Sequence, residues 1–202
     1  MAKLLVIKSS ILGDYSSSGL LINELLLAAK KQDPAQQVTE RDLGAEPLVQ
    51  LDGEILGGFA NSEGRTARQQ TAVELSEQLI AEIEAADRLV IGVPMYNFGV
   101  PTQLKSWFDY ICRAGVTFKY SETGPVGLLS NKPVLLVVTT GGLHRDTATD
   151  LALAHIRTVL NFIGLQDIQV AYAQGLGMGP EARESGLDAA RVSFAGFLPA
   201  LA

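Results

Sequence analysis

The stretch Leu89-Val-Ile-Gly-Val-Pro-Met-Tyr-Asn-Phe-Gly-Val-Pro101 decides the fold of this chain. Its first five residues, Leu89–Val93, are apolar and mostly branched, as in a strand that is buried on both faces of a parallel sheet. Pro94 ends this run, and the polar and aromatic loop Met95–Phe98 follows it directly. In an open α/β sheet, ligands bind beyond the carboxyl ends of the strands. The loop is therefore predicted to lie at a ligand site, although a plain surface turn between two prolines would have the same composition.

The composition predicts a single globular domain over residues 1–202. The chain is long enough for one sizeable core, and 47% hydrophobic with 19% charged residues is typical of a folded protein. A net charge of −6 opposes binding to a phosphodiester backbone, so no nucleic-acid partner is expected. The apolar runs are too short to cross a bilayer and the chain starts directly with a strand, so a cytoplasmic protein without a membrane partner is expected. Cys112 is the only cysteine, and no metal site is predicted.

Strands and helices alternate along the chain. Predicted strands cover 4–7, 37–41, 88–93, 134–140 and 168–173. A first helix is predicted from apolar residues that recur with helical spacing over 20–28 and is stopped at 33–34, and further helices are predicted over 66–86, 102–113, 149–163 and 181–198. Two long excursions, 45–65 and 115–132, interrupt the alternation; the first is expected to hold a helical turn and the second an extended segment at 117–120. This pattern predicts an α/β fold, a doubly wound five-stranded parallel sheet of order 2-1-3-4-5 with helices on both faces. The ligand-facing loops are then those after the first, third and fourth strands.

Serines crowd the loop after the first strand. Ser10 follows the strand, and Ser16, Ser17 and Ser18 stand where the first helix begins. A helix N-terminus offers free N–H groups and the positive end of a dipole, and the hydroxyls add further donors. Because the loop has neither a lysine nor a G-x-x-x-x-G-K-[ST] motif, it suits a phosphate that is held and not transferred. The alternative is an ordinary serine N-cap, which needs only one of these hydroxyls.

Glycines follow the fourth strand, in the sequence Thr139-Thr140-Gly141-Gly142. Paired glycines let the backbone approach a ligand, because no Cβ intervenes, and their N–H groups suit the edge of a planar ring. His144 lies just past them and is a candidate donor to a ring oxygen. A tight turn into the next helix is the alternative. The second glycine cluster, Gly175–Gly179, departs from the G-x-G-x-x-G spacing of a dinucleotide site and is interpreted as a flexible loop.

Together the three loops outline a mononucleotide with a wide planar ring, and flavin mononucleotide (FMN) matches that outline. The serines would hold the phosphate, and the ring would lie between the loops after the third and fourth strands. A backbone N–H near Asn97 would face N5, where hydride arrives. The predicted cofactor-binding residues are Ser10, Ser16, Ser17, Ser18, Met95, Tyr96, Asn97, Phe98, Thr139, Thr140, Gly141 and Gly142.

Several strings also resemble the bacterial FMN-dependent NAD(P)H azoreductases, a family that is active as quinone reductases too. They are Ser9-Ser-Ile-Leu-Gly, Pro94-Met-Tyr-Asn-Phe, Arg113-Ala-Gly-Val-Thr-Phe, and Gly141-Gly with His144. The resemblance implies a flavodoxin-like homodimer with two FMN sites at the subunit interface. It also implies a ping-pong cycle in which NADH or NADPH is the electron donor and a quinone or azo compound is the acceptor.

The resemblance places the substrate at a wall of Asn97, Tyr120 and Phe162, with Phe59 reaching in from the partner subunit. Each of these aromatic residues is also compatible with an ordinary core position. No catalytic residue is required beyond FMN, since the cofactor performs the chemistry, and Asn97 and His144 are the only candidates. A contact between subunits is expected from three aromatic residues of one helix, Trp107, Phe108 and Tyr110.

Two other flavoproteins fit the same fold. A flavodoxin-type electron carrier is compatible with the acidity of the chain. However, a carrier gains from an exposed edge of the flavin ring, whereas the two excursions favour the walled pocket that a reductase needs. An FAD-dependent quinone reductase is the second alternative. An α/β hydrolase is disfavoured because the chain has no G-x-S-x-G motif.

Overall fold

A parallel five-stranded sheet forms the centre of the protein in the computed structural model, which describes residues 3–61, 63–194 and 196–197. The strands are β1 (Lys3–Lys8), β2 (Gln37–Asp42), β3 (Arg88–Pro94), β4 (Phe118–Ser121), β5 (Gly124–Gly127), β6 (Val134–Thr139) and β7 (Ile168–Ala173). The sheet has the order β2-β1-β3-β6-β7, whereas β4 and β5 form a separate antiparallel hairpin. The predicted order 2-1-3-4-5 is confirmed, because the hairpin lies outside the central sheet.

Helices cover both faces of this sheet. They are α1 (Ser17–Gln32), α2 (Gly53–Ala60), α3 (Ala67–Ala85), α4 (Thr102–Ile111), α5 (Leu151–Ile163) and α6 (Pro180–Val192). Side chains of α1 and α6 pack on one face, and those of α3, α4 and α5 pack on the other. None of the helices in the described ranges is both long and apolar enough to cross a bilayer.

The central strands owe their position to burial on both faces. In β3, Leu89 and Ile91 face the layer of α3, α4 and α5, and Val90 faces the layer of α1 and α6. All six residues of β6 are buried in the same way. Strands with this pattern are stable only inside a sheet that is covered on both sides. The two central strands therefore fix where their carboxyl ends, and the loops that follow, must lie.

The last helix is shorter than predicted. The expected range 181–198 reaches beyond the described residues at 195 and 198, and the helix ends at Val192. Phe194 and Phe197 follow in turns and are buried against the core of α1 and α6. These two residues contact the same core as the helix, so their spacing in the sequence resembles a continued helix. The backbone, however, is no longer helical at this point.

Both excursions contain regular structure. In the first, the helical turn that the sequence predicts is α2, whose N-terminus is capped by Asp52 through the Ile55 N–H at 3.0 Å. Arg68 of α3 binds this carboxylate at 2.6 Å and Glu54 at 2.8 Å, which docks α2 on α3. The Arg68 guanidinium lowers the pKa of Asp52 to about 2. In the second, the predicted extended segment 117–120 is confirmed as β4.

The aromatic residues of α4 belong to the core of one chain. Trp107, Phe108 and Tyr110 are at most 2% exposed. The expectation that they form a contact between subunits is therefore wrong. The sheet, α3 and α5 enclose α4, so its apolar residues are covered without a second copy.

Candidate functional site

A cavity of about 210 Å³ opens at the carboxyl ends of β1, β3 and β6. The three predicted loops meet there. The cavity is lined by Ser10, Leu12, Ser17, Pro94, Met95, Tyr96, Thr139, Thr140, Gly141, Leu176 and Gly177. The structure thus brings together most of the predicted cofactor-binding residues, at the switch point where ligands bind in this class of sheet.

The serines at the start of α1 divide between two tasks. The hydroxyl of Ser16 caps the helix by accepting from the Gly19 N–H at 2.9 Å, and it lies 3.1 Å from the hydroxyl of Ser18. Ser16 and Ser18 line a neighbouring polar cavity of about 350 Å³, whereas Ser17 lines the main cavity. Because the helix begins at Ser17, the N–H groups of Ser17 and Ser18 have no acceptor within the helix. Backbone donors, a helix dipole and the Ser17 hydroxyl therefore lie together at this end of the cavity, an arrangement that suits an anion.

A hydrogen bond ties the first loop to the third. The hydroxyls of Ser10 and Tyr96 are 3.0 Å apart, and the Ser10 hydroxyl also accepts from the Leu12 N–H at 3.3 Å. One residue earlier, Ser9 donates to the Gly92 carbonyl at 2.7 Å. These contacts hold two walls of the cavity at a fixed separation.

The backbone of the third loop is strained at its tip. Tyr96 and Gly99 exchange two hydrogen bonds of 3.0 Å, and the residues between them, Asn97 and Phe98, have φ of 49° and 68°. Positive φ at both central residues is the signature of a type I′ turn, which Asn tolerates and a bulky aromatic residue does not. The Phe98 ring is half exposed and meets the His144 ring edge-on at 5.6 Å. Strain of this kind persists where the surrounding structure imposes it, and it concentrates at functional sites.

The fourth loop presents backbone N–H groups to the cavity. The carbonyls of Thr140, Gly141 and Gly142 accept hydrogen bonds from the N–H groups of Leu176, Gly177 and Gly175 at 3.1, 2.9 and 3.0 Å. In a planar trans peptide the N–H points away from the carbonyl, so the N–H groups of residues 141–143 point away from the loop after β7. Since β6 lies between β7 and β3, this direction leads toward the Met95–Phe98 loop. Among the described residues, and leaving aside its two chain neighbours, no atom lies within 4 Å of the place that a Cβ on Gly141 would occupy, whereas the His144 ring lies beside Gly142. The face of Gly141 is therefore open to a ligand.

The interpretation of Gly175–Gly179 as a flexible loop is wrong. Its first three residues are hydrogen-bonded to the fourth loop, and Leu176 and Gly177 line the cavity. The signal that could have found them is the strand order. Because β7 is the neighbour of β6, the loop after β7 must lie beside the glycine pair.

A buried tyrosine supports the base of the fourth loop. Tyr172 donates from its hydroxyl to the Asp150 carboxylate at 3.0 Å, and burial together with that charge raises the pKa of Tyr172 well above its usual value. Asp150 stands at the N-cap of α5 but makes no capping bond with its side chain. Thr140, next to Tyr172, donates to the Gly142 carbonyl at 2.8 Å. The carboxylate that would usually cap a helix is thus used to hold the wall of the cavity.

His144 is oriented by its own neighbours. Its Nδ1 lies 2.8 Å from the Thr149 hydroxyl, and a Cβ on Gly142 would lie 3.0 Å from its Nε2. The imidazole therefore lies against the glycine pair, as the sequence places it, but it does not line the cavity. Asn97, at the exposed tip of the third loop, does not line it either.

The residues of the predicted substrate wall do not meet within one chain, and Phe59 and Phe162 are partly buried against the core. Tyr120 is 76% exposed on the β4–β5 hairpin, and Phe118 links it to Phe162 with ring centroids 5.6 and 4.2 Å apart. Phe59 packs edge-on against Tyr110 at 5.8 Å, and the Arg113 guanidinium lies 4.3 Å from its ring centre. Within one chain, none of Phe59, Tyr120 and Phe162 lines the cavity. Their roles at the site remain predictions.

Comparison with known proteins points to one family. A family model described as a flavodoxin-like fold matches residues 2–197. A protein of Tolumonas auensis named FMN-dependent NADH:quinone oxidoreductase is 54% identical over 99% of this chain and 100% of its own length. A protein of the same name from Shewanella amazonensis is 50% identical over 95% of this chain and 96% of its own. Among solved structures, an azoreductase from Bacillus anthracis str. Sterne has a TM-score of 0.85 with 27% identity, covering 96% of this chain and 100% of that one.

Replacing Phe98 with asparagine is expected to stabilise the protein. The substitution removes a half-exposed ring from a left-handed position that asparagine adopts more readily, so the free energy of unfolding should rise by about 0.5–1 kcal/mol. Urea unfolding of the apoprotein measures this change. Val49→Asn, at a comparably exposed apolar residue without positive φ, is the matched control and should bring no gain. A loss of stability in Phe98→Asn would mean that the contacts of the ring outweigh the backbone strain.

Proposed function

The chain belongs to the flavodoxin-like family whose relatives are named FMN-dependent NADH:quinone oxidoreductases, and from that premise we propose that it reduces quinones and azo compounds with NADH through bound FMN. The observation that carries the proposal is the single cavity in which the serine, tyrosine and glycine loops meet. We further propose a cytoplasmic location, where the single, partly buried Cys112 would stay reduced.

The residues present fit FMN at both of its ends. The start of α1 supplies N–H groups and the Ser17 hydroxyl for a phosphate, with Ser10 across the cavity. At the other end, the absence of a Cβ at Gly141 leaves the space that a flat ring needs. No basic side chain lines the cavity, so the negative charge of the tail depends on hydroxyls, backbone donors and the helix dipole.

The division of labour follows from this arrangement. When bound, FMN would supply the two-electron redox chemistry between NADH and the acceptor that the proposed ping-pong cycle needs. The chain itself holds and orients. Tyr96 and Ser10 fix the distance between two walls. The turn at Asn97 would offer backbone donors to the ring, and the N–H groups after Thr140 would serve its opposite edge. No side chain is required as nucleophile or essential acid.

Two experiments on the purified protein test this function. Mass spectrometry of the cofactor released by heat should find FMN; finding FAD would instead support an FAD-dependent quinone reductase. Anaerobic mixing with NADH should bleach the bound flavin without an added reductase, and a quinone should then restore the colour. If NADH leaves the flavin oxidised, the chain is a flavodoxin-type electron carrier and the enzymatic proposal is wrong.

Replacing Gly141 with alanine separates cofactor binding from folding. A Cβ there meets no protein atom, so the apoprotein should unfold at an unchanged urea concentration. The methyl group would occupy ring space, so the FMN dissociation constant should rise roughly tenfold or more, as expected when close backbone contacts to a ligand are lost. Fluorescence titration with FMN gives the dissociation constant of the unmodified apoprotein and of the variant. Gly53→Ala, which also meets no atom within 4 Å, is the control and should bind FMN like the unmodified protein.

We propose that a second copy of the chain completes the site. The cavity measures about 210 Å³, whereas pockets for ligands of this size measure about 300–1,000 Å³. Apolar side chains surround its mouth: Leu12 is 51% exposed, Phe98 50% and Leu143 61%. Exposed apolar patches of this kind mark interaction sites. A partner would also supply the predicted wall residues Phe59, Tyr120 and Phe162, none of which reaches the cavity of its own chain.

Sedimentation velocity of the FMN-loaded protein tests the dimer. A single dimeric species is expected at micromolar concentration. Tyr120→Glu should weaken the dimer, because it puts a charge on the 76% exposed ring of the hairpin. Leu27→Glu on α1, at 64% exposure and remote from the cavity, is the control and should leave the dimer intact. A monomeric unmodified protein that retains FMN would contradict the proposal.

A further inference from the structure

One short segment after β7 holds the whole fourth loop. This segment, Gln174–Gly177, donates three backbone N–H groups to the carbonyls of residues 140–142. The side-chain carbonyl of Gln174 also accepts from the N–H groups of His144 and Arg145, each at 3.1 Å. Five peptide groups in a run of six residues are therefore held by this one segment, which follows the neighbouring strand β7.

These bonds decide where the N–H groups of the glycine pair point. Glycine has the widest range of backbone conformations, so Gly141 and Gly142 have little intrinsic preference for one orientation of their peptide groups. Once a carbonyl is bound to the Gln174–Gly177 segment, the planarity of the peptide fixes the following N–H in the opposite direction. The row of donors that faces the Met95–Phe98 loop is thus a consequence of hydrogen bonds made on the other side.

The Gln174–Gly177 segment is itself closely packed. A Cβ on Gly186 of α6 would lie 2.2 Å from the Gln174 carbonyl oxygen, so the helix backbone touches the start of the segment. At its end, a Cβ on Gly177 would lie 3.3 Å from the Gly141 carbonyl oxygen and 3.6 Å from its Cα. Any side chain at residue 177 would therefore displace the fourth loop by a few tenths of an ångström.

We propose that the Gln174–Gly177 segment is a positioning element for the flavin: by fixing the peptide groups of the glycine pair, it aims their N–H groups at one edge of the ring. This inference rests on the proposed function. Two-electron reduction places additional negative charge on the ring, and preorganised backbone donors stabilise such charge where it develops. The segment therefore sets both how tightly FMN is held and how readily it is reduced, although most of its bonds are made to the protein and not to the ligand.

Gly177→Ala tests this role with readouts that do not depend on turnover. We expect the FMN dissociation constant of the apoprotein to rise roughly tenfold, since displaced donors lose hydrogen bonds to the ring. The reduction potential of the bound flavin, measured anaerobically against a reference dye, should become more negative. Gly53→Ala is the control and should change neither quantity. The urea midpoint of each apoprotein shows whether the fold is kept.

A second variant allows the proposal to be tested even if Gly177→Ala does not fold. Gln174→Met removes the acceptor of the His144 and Arg145 N–H groups without adding volume against Gly141, and we expect a smaller shift of the potential in the same direction. If both variants fold, bind FMN like the unmodified protein and keep its potential, the positioning role is refuted and the proposed function stands. If the unmodified apoprotein itself does not bind FMN, the proposed function fails and this inference fails with it.

Discussion

The pairing of β3 with β1 on one side and β6 on the other is the constraint on which the site depends. Leu5 pairs with Leu89, and Pro94 pairs with Thr139 at the far end, so the strands finish at one edge of the sheet. The Met95 N–H continues the ladder to the Thr139 carbonyl at 2.8 Å, one residue beyond the strand. The loops are thereby placed by the same hydrogen bonds that build the core.

Several local features near the cavity lower the stability of the folded protein. Phe98 occupies a left-handed backbone conformation, and Asp150 leaves the start of α5 without a side-chain cap. Each departure costs about 1 kcal/mol or more. The buried apolar residues of β3 and β6 offset such costs, because their burial contributes more to stability than a few local defects remove. Both Phe98 and Asp150 adopt an arrangement that is locally unfavourable, and both lie near the cavity, as expected for a functional site.

Much of the fold and of the cavity could be predicted from the sequence. The apolar runs at Leu89–Val93 and at 134–140 identified the central strands, and alternation with helices determined the strand order. The positions of Ser10 just beyond β1 and of Met95 just beyond β3 were enough to place them on one cavity. Such inferences succeed because strand burial and sheet topology follow from patterns that lie within a few residues of each other.

The rest depended on contacts between distant segments. The aromatic residues Trp107 and Phe108 have the same spacing whether their own chain or a second copy covers them, so the sequence could not distinguish the two. The Gln174–Gly177 segment was missed for a related reason, since its hydrogen bonds reach more than 30 residues back along the chain. The different tasks of Ser16 and Ser17 also needed coordinates, because the position of the N-cap within a run of three serines decides which hydroxyl is free.

The two ends of the cavity differ in what builds them, and this difference bears on how the proposed reaction is divided between chains. The end that is proposed to hold the phosphate is built from the hydroxyls and helix start of a single chain, so one chain would suffice to recognise the tail of the cofactor. The ring end consists of backbone donors on two sides and an exposed apolar rim. The proposed ping-pong cycle requires the electron donor and the acceptor to reach the ring in turn. The chain that holds the cofactor tail must therefore leave the face of the ring accessible. In the proposed dimer, a wall contributed by a second copy would meet both requirements, because it would enclose the ring while a passage between the subunits stayed open.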